Sequence, residues 1–157
     1  MFQVGDKVVY PMHGAGVIEA IEEKEVLGST QQYYIMRLPI GEMKVMIPID
    51  SVNVGLREVI SQAEVQSVFE ILRAQKSKMS TNWNHRYRAN LEKIKSGNIY
   101  EVAEVVRNLA QRDREKGLST GERKMLENAR QILLSELVLA QDIAEDQASS
   151  LLNEVLA

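Results

Sequence analysis

The chain contains no cysteine and only two histidines, His13 and His85. Disulfide frameworks, thiolate metal sites and cysteine nucleophiles are thereby excluded together, and two imidazoles are too few for the usual zinc sites. No uncharged apolar run approaches the ~20 residues of a membrane span. Asp6 and Lys7 interrupt the apolar pattern near the N-terminus, so no signal peptide is expected there, and a cytoplasmic location is. Proline is absent after Pro48, which leaves the rest of the chain free to be helical. What remains is the composition of a globular protein: 157 residues, 45% hydrophobic and 26% charged, enough for one ordinary domain or two small ones.

The net charge of -3 argues, taken alone, against a nucleic-acid partner, because phosphate binding usually leaves a basic footprint. Its distribution argues otherwise. Residues 1–58 hold five basic and eight acidic side chains, whereas residues 73–95 hold seven basic residues against Glu92 alone, a window of +6. Residues 107–124 add six basic against three acidic, and beyond 124 six acidic residues face only Arg130.

Hydrophobic periodicity changes near residue 58. Before it, segments 2–11, 14–23, 32–39 and 43–49 alternate with period two and are separated by glycine- and proline-bearing turns, which predicts four or five short strands. After it the period is 3.6. Ser61 with Glu64, and Ser119 with Glu122, have the spacing of capping boxes, Asn98 precedes Glu101 by three, and Gly97 and Gly117 supply stops. A last helix is expected over Glu145 to Leu156. The fold class is therefore α+β: a small, bent, SH3-like sheet over 1–56, followed over 57–157 by a compact all-α bundle of four to five helices. So small a sheet has a thin core and should lean on its neighbour.

Catalytic signatures are missing. His13 lies in a glycine turn and His85 in a basic stretch, neither with a nucleophilic partner, and GAGVIEA lacks the lysine and the spacing of a phosphate loop. Glu22 and Glu23 adjoin Lys24 on an exposed hairpin, where solvation is the simplest reading. No enzymatic activity and no cofactor, metal or small-molecule substrate is expected.

Two constellations could bind. Strand alternation over 42–49 puts Met43, Val45, Ile47 and Ile49 on one face and Glu42, Lys44, Met46 and Pro48 on the other, so Met46 is an apolar residue on the polar face of a strand whose proline suits a sheet edge. It either meets a partner or covers an internal contact. Segment 82–88 holds the single tryptophan, Trp83, with His85, Arg86 and Arg88. On a helix Trp83, Tyr87, Leu91 and Ile94 form one stripe, which favours a core tryptophan; its place in the first turn, amid basic residues, also allows an indole projecting to grip or wedge nucleic acid.

The blocks VGDKVVYPMHGAGVIEAIE, KVMIPI, VGLREVIS, TNWNHRYRANLEKIKSG, VAEVVRNLAQRD and GLSTGERKMLENARQILLSEL, in this order over nearly the whole chain, resemble the CarD/CdnL family of bacterial transcription regulators. The first block is also similar to the polymerase-interacting domain of transcription-repair coupling factors, whose helicase motifs have no counterpart here. The resemblance implies a Tudor-like module that binds the RNA polymerase β subunit and a helical domain that contacts promoter DNA weakly, with little sequence preference, at the upstream edge of the melted bubble. It assigns polymerase contact to Met46 and Pro48, with Met36 and Lys24 as neighbours. It assigns DNA contact to Trp83 as a wedge, with Arg86 and Arg88 as basic companions, His85 beside them where relatives commonly carry arginine, and Arg123 and Lys124 as a second backbone contact. The competing readings are a stand-alone nucleic-acid-binding module and a protein–protein adaptor without DNA contact.

Overall fold

A computed structural model describes residues 2–49 and 55–157. Five strands, β1 (Lys7–Tyr10), β2 (Gly14–Val26), β3 (Ser29–Arg37), β4 (Lys44–Pro48) and β5 (Arg57–Glu58), make one antiparallel sheet in the order β4-β3-β2-β1-β5. Five helices follow: α1 (Gln62–Arg73), α2 (Trp83–Lys95), α3 (Ile99–Lys116), α4 (Thr120–Gln141) and α5 (Glu145–Leu156). The architecture is the α+β arrangement expected from the change of period. The sheet's last strand, β5, pairs with β1 and so extends past residue 56.

Strand β2 organises the sheet by changing partners. Its first residues pair with β1, and from Val17 onward it pairs with β3, with a bulge between Ile18 and Ala20. An extra residue bends and twists a strand. Beyond the bulge the β2–β3 ribbon projects with mostly exposed side chains and closes through Leu27 and Gly28, both at positive φ as tight hairpin turns require. The sheet core is correspondingly thin: Val8, Ile18, Tyr34, Met36, Leu38 and Ile47. Met43, expected on the inner face with Val45 and Ile47, is exposed instead. It precedes the strand, in the loop that follows Gly41 and Glu42, both at positive φ, so strand alternation does not yet govern it.

The helical core is larger, with Val65, Val68, Leu72, Val105, Leu109, Leu133 and Leu137 among its fully buried side chains. Helix starts follow the caps. Ser61 accepts from the Glu64 amide while Glu64 accepts from the Ser61 amide, and Asn98 accepts from the Tyr100 amide. Helix α3 stops at Gly117, whose φ is 77°.

Helix α4 joins the two halves by lying against β2. Gly14, at φ 102°, leaves no room for a side chain, since a Cβ there would come within 2.6 Å of Ser135 Oγ. That hydroxyl accepts from the Ala15 amide at 2.8 Å and donates to the Ile132 carbonyl at 2.6 Å. Next to it Glu136, 1% exposed, accepts from both terminal nitrogens of Arg57 at 2.7 Å and from the Ile60 amide at 2.9 Å. Arg57 Nε donates to the Gly97 carbonyl at 2.8 Å. The buried carboxylate is thus fully compensated, as a charge out of water must be.

Candidate nucleic-acid interface

Asn82 caps α2 by accepting from the His85 amide at 3.1 Å, which makes Trp83 the first helical residue. Burial deepens along the stripe that begins there: Tyr87 and Leu91 are half-buried, Ile94 is buried, and the indole is 41% exposed. The ring is on the surface but not loose. It stacks on Tyr87 with centroids 4.9 Å apart and planes 18° from parallel, and its Nε1 donates to Ser119 Oγ at 2.9 Å. Gly121 passes close beneath, so that a Cβ there would lie 3.4 Å from Trp83 Cζ2. The N-termini of α2 and α4 therefore converge on one aromatic ring.

Arg86 has a different place from the one its spacing suggested. It is 4% exposed, with Nε and Nη2 donating to the Glu122 carboxylate at 2.8 and 3.0 Å and Nη1 donating to the Ser80 and Thr81 carbonyls at 3.1 and 3.4 Å. A guanidinium so committed has no charge to present to a phosphate, and the expected direct DNA contact from Arg86 is corrected to an internal one. Glu122 is corrected with it. Its amide donates to Ser119 Oγ, but its carboxylate turns away from the Ser119 amide to Arg86, so Ser119 caps α4 without the reciprocal half of a box. The Arg86 hydrogen bonds hold the Glu122 carboxyl below the usual carboxylate range against the opposing effect of burial, and the same bonds raise the Arg86 guanidinium.

His85, Arg88, Arg123 and Lys124 are all exposed near this ring-bearing end. Arg123 has a loose, solvent-exposed ion pair with Asp113 at 3.8 Å. The basic window is less positive than its composition. Lys76 pairs with Glu115, Arg86 with Glu122 and Lys93 with Glu104, so three of the seven basic residues of 73–95 face carboxylates supplied by α3 and α4. Sequence reasoning missed Ser119 and Gly121 as neighbours of the indole. The Ser119–Glu122 spacing was visible, but it signalled a helix start and gave no hint of a contact 36 residues away.

In the sheet, β4 pairs only with β3 and forms an edge among the described residues. Met46 is 48% exposed and lies opposite Ile35; Pro48, half-buried, lies opposite Tyr33. Lys24, exposed and 3.3 Å from Glu22, lies opposite Gln31. Cross-strand partners share a face and successive residues alternate, so Met46, Pro48 and Lys24 are on the same face of the sheet. Met36 is on the opposite face and fully buried in the sheet core, which corrects its expected place beside them. Among the described residues, no helix is long and apolar enough to cross a membrane, and no group of three or more metal-ligating side chains is assembled.

Comparison with known proteins matches residues 2–60 to the CarD-like/TRCF RID domain and residues 67–153 to the CarD C-terminal domain. The chain is 46% identical over 151 residues, 96% of its own length and 99% of the relative's, to the "Putative transcription factor YdeB" of Bacillus subtilis (strain 168). With both halves matched in order and a relative similar from end to end, the chain belongs to the CarD/CdnL family of transcription regulators.

Proposed function

We propose that this protein regulates transcription without catalysis, by attaching to the β subunit of RNA polymerase through the β4 edge and holding Trp83 against promoter DNA at the upstream edge of the bubble. The observation that carries this reading is the half-open indole. A large apolar ring is left exposed, with one face stacked on Tyr87, where two helix starts converge that also carry exposed His85, Arg88, Arg123 and Lys124. A base or an opened base step offers a flat partner to the exposed part of the ring, while the arginines and the lysine on the same helices take phosphates without reading sequence.

The division of labour follows from charge. With three of the window's cations already paired internally, few phosphate contacts remain, and free duplex should be bound weakly. Attachment to polymerase overcomes this by raising the effective concentration of the ring at the bubble edge. Met46, Pro48 and Lys24 form the docking face in this reading, the methionine adapting its shape and the β4 edge, unpaired among the described residues, offering backbone groups. A ring that engages only opened, distorted DNA favours that state by the stacking scale of about 1–3 kcal/mol, which changes open-complex lifetimes by about five-fold to more than a hundred-fold. Preference among promoters arises from DNA deformability more than from base edges.

The test is the lifetime of open complexes on a purified promoter with cognate polymerase. The intact protein is expected to lengthen it, and Trp83→Ala is expected to lose that effect while keeping helix content and polymerase binding. A Trp83→Ala variant that stabilises open complexes as well as the parent protein overturns the proposal.

A further inference from the structure

We propose that Ser119 is the positioning residue for Trp83, fixing the aim of the indole before any DNA is met. This rests on the reading of Trp83 as the group that contacts DNA. The Ser119 hydroxyl has two lone pairs and one proton, and all are used: it accepts from Trp83 Nε1 at 2.9 Å and from the Glu122 amide at 3.2 Å, and it donates to Glu122 Oε1 at 3.3 Å. A cap needs only the second of these. The first reaches across to another helix and fixes the rotation of the ring, whose face is already set by Tyr87 and whose edge lies over Gly121.

The hydroxyl is itself held from behind. Glu122 is locked by the buried Arg86, so the chain Arg86–Glu122–Ser119–Trp83 runs from the interior to the exposed ring through charge-assisted and neutral hydrogen bonds. An indole ordered in the free protein loses little side-chain freedom on stacking, and ordering a side chain at an interface is a recognised cost of binding.

Glycine separates the two duties of Ser119. At a helix N-cap it is nearly as good as serine, yet it has no oxygen for the indole N–H. Because Trp83 is the single tryptophan, the full-length nitrogen-15-labelled protein gives one indole N–H resonance. In Ser119→Gly that resonance should shift and the ring become more accessible to acrylamide, while the urea midpoint stays near that of the parent and the open-complex lifetime falls about five-fold. Ser119→Thr, which keeps both cap and acceptor, should restore ring and lifetime together. An unchanged resonance and unchanged quenching in Ser119→Gly overturn the proposal, as does a freed ring with an undiminished lifetime. An inactive Trp83→Ala supports it when the Ser119 variants behave as stated; a fully active Trp83→Ala removes the DNA reading and the functional half of this proposal with it.

Discussion

Arg86 and Arg88 are two positions apart on α2 and should fail in different ways. Arg86→Ala leaves the Glu122 carboxylate buried without its partner, and breaking a buried pair costs about 3–5 kcal/mol, to be read as a large fall in the urea midpoint. Arg88 is exposed, so Arg88→Ala should change stability by no more than about 0.5 kcal/mol while shortening open-complex lifetime. Equal stability of the two variants would contradict the structure around Arg86. The same pair sets a pH dependence. Because the folded protein holds the Glu122 carboxyl below its unfolded value of about 4.3, the unfolded chain binds more protons in the acid range. The pair's stabilisation is complete above that value and is lost as pH falls through the lower folded one. Urea midpoints taken from pH 7 down to pH 3 should decline less steeply in Glu122→Gln than in the parent.

Among the elements, β4 gives the sharpest contrast between its own two faces and those of its neighbour. Met46→Glu should leave the fold intact and abolish co-purification with polymerase, because the side chain is exposed at the sheet edge; Met36→Glu should unfold the sheet, because it places a charge in the thin core. The elements themselves were largely legible in the sequence, since strand alternation, caps and glycine stops are local rules. Ser61, Asn98 and Ser119 each begin a helix where their side chains suggest. The buried face of Met36 follows from the alternation of Tyr34, Met36 and Leu38, whereas the resemblance places it beside the docking residues. The carboxylates that neutralise Lys76, Arg86 and Lys93 come from residues distant in sequence, and no periodicity reports which cation a remote glutamate will choose. The candidate site was legible in its exposed members, Trp83, His85, Arg88, Arg123 and Lys124, and illegible in the residues that hold them.

At the scale of the whole molecule, the sheet and the bundle meet through Ser135 and Glu136, both buried, so the β4 edge and the indole are held in one frame. Arg57→Met strands the Glu136 charge and should loosen that frame. Calorimetry is expected to show the sheet melting ahead of the helices, with tryptophan fluorescence unchanged through the first transition; a single undivided transition at the parent temperature would count against the joint. Helix α4 carries the fittings for both ends, Ser119 at its start and Ser135 toward its finish, separated by about 24 Å of helix at 1.5 Å per residue. That spacing makes α4 a ruler. Inserting a single residue between them would turn one fitting by about 100° relative to the other and lengthen the gap by about 1.5 Å. Evolution can therefore repaint the solvent side of this helix freely, but its residue count is locked to the separation between the ring that Ser119 holds and the strand that Ser135 grips.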